Sequence, residues 1–438
     1  MLLEENKFKL KNITKIKLTD FIRKSDLILD WLTKDGKLII SARIVRTFSY
    51  GFLSIILAIY LNLIGFNEIL IGFILSVTLT NSIIFNLFSS FFADRIGRKK
   101  VLIVYSALMA ASGSIFLLTD NYIALIIAAF IGTINVTGSE TGAFLSIEQA
   151  ILPQTINNPK KRNTIFALYN VVGTFAMSAG ILLSALPQII QEKYQFSTIN
   201  SFKPLFLIYI GAGIIVVIIY FFLSKKIEVT KTNFSKKSFS SNLSPKSKKI
   251  IVKLSSLFAL DSFAGGFVIQ SIVAFWFFTK FGVDLTTLSL IFSVAGVFTA
   301  ISFFFAAKIA NRIGLINTMV FTHIPSNILL ILISIAPTFY VAVSLYLARM
   351  GLSQMDVPTR QAYIVSVVEE NERTAAAGIT NTSRNIAQSI SPSITGTIIH
   401  SLWFSAPFVI GGLLKIVYDI GIFVNFRKIK PDDEVNKI

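Results

Sequence analysis

Twelve runs of mostly apolar residues, separated by short charged or glycine-bearing turns, set the pattern of this chain. They fall near 38–63, 67–92, 99–118, 122–147, 163–187, 204–224, 254–280, 285–309, 315–336, 338–358, 374–399 and 404–424. Each is close to the roughly 20 residues with which an α-helix crosses hydrocarbon. A segment in lipid must satisfy its own backbone polar groups, so helix is the expected form of every run. Short turns such as Thr119-Asp120-Asn121 predict antiparallel neighbours. Ahead of the first run, residues 1–37 are polar and basic, with Phe21, Ile22, Ile28, Leu29 and Leu32 at helical spacing. That pattern predicts an amphipathic helix on the membrane surface, or alternatively a cover for the inner mouth of a bundle. Residues 225–253 open with a lysine- and serine-rich stretch, Lys225 to Lys249, too polar to fold alone, and read as a flexible linker. The expected organisation is a bundle over 38–224, the linker, a second bundle over 254–424 and a basic tail over 425–438.

The two bundles repeat one another. Ala93-Asp94-Arg95-Ile96-Gly97 returns as Ala310-Asn311-Arg312-Ile313-Gly314, a displacement of 217 positions from Arg95 to Arg312. The same displacement pairs Gly65 with Gly282, Ile74 with Ile291, Ser76 with Ser293, Val77 with Val294 and Phe88 with Phe305. With a small gap, Glu148-Gln149-Ala150 corresponds to Arg360-Gln361-Ala362, and Asn170 to Asn381. Two parallel six-helix halves joined by a linker is the architecture this predicts.

Charge then orients the bundle. The net charge is +18, with 53% hydrophobic residues and a mean hydropathy of +0.70. Most of the lysines and arginines fall at the termini, in the linker and in the turns on the linker side, which marks that side as cytoplasmic. This placement, with attraction to anionic lipid head groups, accounts for the excess without a nucleic acid partner. Both termini and the linker are therefore expected inside, in a multi-pass protein of the cell membrane. No cleavable hydrophobic leader is evident. Cysteine is absent, excluding thiol catalysis, disulfides and cysteine-bound metal. No phosphate-cradling Gly-x-x-x-x-Gly-Lys-Ser/Thr motif, metal-ligand cluster or nucleophile–base pair is found, so neither an enzyme nor a cofactor is expected.

The stretch Ser90-Phe91-Phe92-Ala93-Asp94-Arg95-Ile96-Gly97-Arg98-Lys99 resembles the loop between the second and third helices of major facilitator superfamily transporters. That signature runs Gly-x-Leu-Ala-Asp-Arg-x-Gly-Arg-Lys/Arg. Here Ser90 and Phe92 replace its glycine and leucine, and the charged core is intact. The resemblance covers essentially residues 38–424. It implies an all-α membrane fold of twelve helices in two pseudo-symmetric six-helix bundles, and transport of a small solute by alternating access. It also implies a gating role for Asp94, Arg95, Gly97, Arg98, Lys99, Arg312 and Gly314. Glycine permits the tight turn. Arg98 and Lys99 would anchor to lipid phosphate or a neighbouring carboxylate. Asp94 is expected to meet the N-terminus of the eleventh helix near Thr374 across the halves. The resemblance implies that such contacts hold the cytoplasmic side closed in one state and break in the other.

Other signatures of the family are missing. Ile134-Asn135-Val136-Thr137-Gly138 lacks the arginine that the fourth helix usually carries, and Arg349 stands instead in the tenth. Gly173-Thr174-Phe175-Ala176-Met177-Ser178-Ala179-Gly180 lacks the proline of proton-exchanging exporters, and Ser391-Pro392-Ser393-Ile394-Thr395-Gly396 is a partial echo.

Ionisable residues in membrane helices are costly and mark sites. The first and fourth helices of each half, which the resemblance places around a central cavity, carry Arg43, Arg46, Glu140, Asp261, Arg349, Asp356 and Arg360. Positions 349, 353, 356 and 360 share one helical face, as do Asn381, Arg384, Asn385 and Gln388. At 1.5 Å per residue, Arg349 lies about 16 Å from the outer start of its helix, Glu140 and Asp356 about 27 Å along theirs, and Asp261 and Arg46 roughly 10–12 Å from the inner side. Arg349, Arg384, Asn381, Asn385, Gln388 and Asn135 are the substrate-binding candidates. Glu140, Asp261, Asp356, Arg46 and Glu148 are the proton-coupling or ion-pair candidates, expected in one inner network with Glu140 as the proton carrier and Glu148 near Arg98. His323 reads as an isolated core histidine, and Lys415 with Asp419 as an intrahelical pair. Proton-coupled efflux of organic compounds is the first functional expectation, uptake of an organic anion the second, and a non-transporting membrane sensor or scaffold the third. The partners expected are a small-molecule substrate and membrane lipid, with the chain a monomer.

Overall fold

The computed structural model describes residues 31–140, 142–157, 161–228, 244–369 and 372–427. The expectation for most of residues 1–37 lies outside the described residues, as do most of the linker and the basic tail. Within them the chain is helical, apart from an isolated antiparallel bridge between Leu32 and Ile156.

The N-terminal half comprises α1 (Lys34–Leu63), α2 (Glu68–Ile96), α3 (Arg98–Leu118), α4 (Tyr122–Ile131), α5 (Ala143–Ile151), α6 (Arg162–Leu182), α7 (Leu186–Tyr194) and α8 (Lys203–Phe221). The C-terminal half comprises α9 (Pro245–Gly266), α10 (Gln270–Phe281), α11 (Leu285–Ile313), α12 (Leu315–Ser334), α13 (Phe339–Ser353), α14 (Asp356–Ser366), α15 (Arg373–Ser401) and α16 (Ala406–Phe426). Helix starts follow local chemistry. The side chains of Thr33, Asn67, Asp284 and Thr338 accept from the exposed amides of the first turns of α1, α2, α11 and α13. The repeat is visible in the backbone: Gly97 and Gly314, 217 positions apart, take φ of +112° and +86° between α2 and α3 and between α11 and α12. Only glycine adopts that geometry without strain, so both turns can be tight.

Nine helical runs among the described residues are long and apolar enough to cross a membrane. The other three predicted crossings depart from that form for identifiable reasons. Segment 4 is not helical over 132–140 and at Gly142, between α4 and α5, where three glycines fall, two of them at positive φ. There Asn135 Oδ1 accepts from the amides of Thr137 (3.0 Å) and Gly138 (3.2 Å), competing with helix. Segment 10 breaks at Gln354 and Met355, just before Pro358, which denies the helix an amide and crowds the preceding turn. Segment 11 is a continuous helix, α15, whose polar stripe lowers its hydropathy.

The halves meet along α1 with α10, α2 with α15 and α6 with α11. Backbones touch on the side away from the linker. A Cβ on Gly72 would lie 2.3 Å from Pro392 O, and one on Gly396 2.2 Å from Glu68 O. Here Ser76 Oγ accepts from Ser393 N (2.9 Å), His400 contacts Glu68 (3.0 Å), and Ser54 is bonded by Gln270 (2.8 Å) and Ser271 (2.7 Å). One hydrophobic core runs through both halves on this side, from Phe52 and Leu75 to Trp276 and Phe292. Toward the linker side the core divides in two, one part around Ile39 and Leu102, the other around Leu254 and Met319. Gly378, near that end of α15, has nothing within 4 Å of where its Cβ would be.

Within the N-terminal half, Gly180 is the tightest contact, a Cβ there falling 1.8 Å from Phe48 O. Gly180→Val is expected to cost about 1–3 kcal/mol or more by overpacking α1 against α6. Thermal unfolding in detergent that is unchanged by the substitution would contradict this packing.

Candidate functional site

Two buried ion networks occupy the linker-side half of the bundle, one in each half of the molecule. In the first, Arg46 is fully buried on α1. Its Nε donates to Glu140 Oε1 (2.6 Å), Nη2 to Glu148 Oε2 (2.6 Å) and Nη1 to Tyr220 Oη (2.7 Å). Glu148 also accepts from Tyr169 (2.5 Å) and Tyr220 (2.6 Å). Arg43 pairs with Glu140, donates to Tyr169 O (2.9 Å) and stacks on the Tyr169 ring. Two arginines face two glutamates, so the charges balance and the carboxylates are saturated with donors.

The second network joins α9, α12, α14 and α16. Asp261 accepts from Lys415 Nζ (2.6 Å) and Arg360 Nη1 (3.2 Å), and Arg360 also reaches Asp356 (2.7 Å). Asp419 is held by His323 Nδ1 (2.8 Å) and Asn327 Nδ2 (2.9 Å). Four expectations are corrected here. The inner network is two networks, one in each half of the chain. Glu148 partners Arg46 and not Arg98. Lys415 binds Asp261 and not Asp419. His323 is not isolated but sits between two carboxylates. The helical ruler fails for Glu140 because segment 4 is unwound just before it, and for Asp356 because it begins a new helix.

Arg349 differs from these. It lies 11 residues into α13, is partly buried, and its Nε has no hydrogen-bond partner. Its described polar contact is a 3.6 Å approach of Nη1 to Met350 Sδ, and no carboxylate pairs with it among the described residues. Arg384 on α15 donates to Ser262 Oγ (2.9 Å) and likewise has no paired carboxylate there. Asn381 is exposed, and Arg384, Asn385 and Gln388 are partly exposed along the same face. The opposite face of α15 exposes Ile386, Ile390 and Ile394. Such a helix has an apolar side suited to lipid and a polar side suited to water. Asn135, by contrast, uses its amide to close the turn in segment 4, with Nδ2 donating to Ser139 O (2.5 Å).

At the linker-side surface Asp94 accepts from Arg98 Nε (2.7 Å) one turn later in sequence, with its side chain 49% exposed. The expected contact with the start of α15 is not made in this structure. The α3 N-terminus is capped by Glu228 instead, which accepts from the amides of Arg98 (2.7 Å) and Lys99 (3.1 Å). Lys99 Nζ caps Leu223 O (2.8 Å), while Arg95 and Arg312 are exposed. Glu228 was legible only as the glutamate inside the lysine-rich linker. Glu372, at the start of α15, accepts from Ser244 N (2.5 Å) and anchors the other end of the linker. Hydrogen bonds from Ser247 and Ser244 hold its carboxyl below the usual range. A lowered carboxylate contributes stability above its unfolded pKa, and this is lost as pH falls through the folded value.

A sequence model of the Major Facilitator Superfamily matches residues 39–392 and 324–438. The chain is 24% identical over 417 residues to an uncharacterized membrane protein of Saccharomyces cerevisiae, covering 89% of this chain and 93% of that protein. Among solved structures it is similar to a D-xylose–proton symporter (TM-score 0.70, 14% identity, 91% of this chain and 98% of that one). It is also similar to the nucleoside transporter NupG (0.70, 13%, 90% and 99%) and to the human organic anion transporter MFSD10 (0.58, 13%, 88% and 99%). With its two six-segment halves, its repeated turn and this match, the chain belongs to the Major Facilitator Superfamily of membrane transporters.

Proposed function

We propose that this transporter moves a small organic anion by alternating access, with Arg349 as the principal contact and Arg384 beside it. The carrying observation is the charge balance. The acids and bases of the two buried networks are paired, whereas Arg349 and Arg384, on α13 and α15, have no carboxylate partner among the described residues. An unpaired guanidinium in a membrane protein is costly, and a carboxylate or phosphate ligand that binds it bidentately offsets that cost. Asn381, Asn385 and Gln388 supply neutral donors and acceptors on the same face of α15.

With the linker on the cytoplasmic side, the divided core there and the shared core opposite describe an inward-facing conformation. In the outward-facing one, the Asp94–Lys99 loop and its repeat around Arg312 and Gly314 would close against the opposite half. Asp94 would then exchange its Arg98 contact for the start of α15. A second reading, proton-coupled efflux of organic compounds, is favoured by the intact charged core of that loop. It differs from the first, uptake of an organic anion, in the direction of transport.

The test is a thermal-stability screen of the purified chain against small carboxylates, phosphate esters, and neutral and cationic compounds of similar size. A ligand at 100 times its Kd stabilises by about 2.7 kcal/mol. Stabilisation confined to anions is the expected result. Stabilisation by cationic compounds alone would overturn the anion reading.

A further inference from the structure

The imidazole of His323 lies on α12 and is 3% exposed. Its two nitrogens face two different carboxylates. Nδ1 is 2.8 Å from Asp419 Oδ1 on α16, and Nε2 is 3.9 Å from Asp261 Oδ1 on α9. A neutral imidazole carries one N–H. With that proton on Nδ1, donated to Asp419, the Nε2 lone pair faces a carboxylate, an unfavourable arrangement that one added proton turns into an attraction. The fixed charges around the ring are Asp261, Asp356 and Asp419 against Lys415, Arg360 and, on Ser262 beside Asp261, Arg384. The remaining groups around the ring are Asn327, whose Nδ2 bonds Asp419, and Tyr418, whose ring is edge-on at 5.9 Å with its hydroxyl unpartnered.

We propose that His323, bridging Asp419 and Asp261, is the proton-carrying residue of this transporter. The inference rests on the transporter reading but not on the solute being an anion. The proton leaves a hydronium ion and adds to the Nε2 lone pair while Nδ1–H stays donated to Asp419. One O–H bond breaks as one N–H bond forms, and release to water on the other side reverses the step. Asp261 is the link to the substrate path, since Arg384 on the polar face of α15 bonds its neighbour Ser262. The first network is a poor carrier by comparison, because Glu140 and Glu148 are each held by an arginine. Histidine is also the side chain whose ordinary pKa, about 6.5, lies in the physiological range.

The chain has two histidines and no cysteine, which makes the test direct. In a His400→Gln background the ring carbon signal of labelled His323 reports protonation. Spin labels on Lys100→Cys and Asn311→Cys report the opening of the linker-side mouth. The signal is expected to move with the mouth as pH is varied from about 5 to 8. Over that range the ratio of open to closed mouths should change roughly tenfold for each unit by which the site's affinity for the proton differs between conformations. His323→Gln and Asp419→Asn should each abolish the change in that ratio. Asp419→Asn keeps the shape of the site and gives the same reading if His323→Gln does not fold. A ring signal constant from about pH 5 to 8, a wild-type mouth insensitive to pH, or a pH response that survives in either variant overturns the proposal. A pH response that depends on His323 in a protein that no anion stabilises leaves the proton site standing and removes only the anion reading.

Discussion

Arg46→Met is expected to destabilise the N-terminal half by about 3–5 kcal/mol, the usual cost of removing one partner from a buried ion network. Arg46 is 0% exposed and donates to Glu140, Glu148 and Tyr220 at once. Its removal leaves Glu148 buried with two tyrosine hydroxyls and no cation, while Glu140 retains Arg43. The double variant Arg46→Met with Glu148→Leu should recover a large part of the loss, because no uncompensated charge then remains. Thermal unfolding of both variants in detergent checks this. A single-variant loss under about 0.5 kcal/mol, typical of a surface substitution, would contradict the network.

How much of this was legible beforehand depended on whether the signal was local. The helical runs, the linker and the 217-residue repeat are periodic features of the chain, and the two turns at Gly97 and Gly314 show the repeat as matching backbone geometry. The family resemblance rested on the charged core of one loop, which is local too. What the sequence concealed was pairing. A straight-helix ruler does not hold for Glu140, before which segment 4 unwinds, or for Asp356, before which segment 10 breaks. Lys415 and Asp419 lie one turn apart on α16, so a local rule joined them. The structure turns each to a different helix, Lys415 to Asp261 and Asp419 to His323. His323 looked isolated because its partners are 62 positions before it, at Asp261, and 96 after, at Asp419. The Asp94 contact with the start of α15 is not made here. Its proposed partner lies in the opposite half, and the halves share a core only on the other side.

Arg349→Gln carries the second large expected effect. Removing one member of a desolvated charge pair typically costs 2–5 kcal/mol, or about 30- to 4,000-fold in affinity for an anionic solute. The free protein should not be destabilised, since no carboxylate is left without its cation. The substitution therefore separates a binding role from a structural one. Arg349→Lys should recover part of the affinity, because an ammonium keeps the charge but loses the planar fork that matches a carboxylate. Arg384→Gln is expected to weaken binding less, as Arg384 already spends Nε on Ser262. Titrating the stabilising anion against the wild type and each variant, with thermal unfolding as the readout, gives the affinities and the stabilities in one experiment.

Exchange transport in proteoliposomes tests the central claim most directly. The purified chain is loaded with the anion that the stability screen selects, and entry of the labelled anion against its own gradient is followed. The wild type should accumulate label transiently by exchange, Arg349→Lys should do so more weakly, and Arg349→Gln should not accumulate it at all while remaining as stable to heat as the wild type. Accumulation by Arg349→Gln at the wild-type rate and concentration dependence would contradict the account.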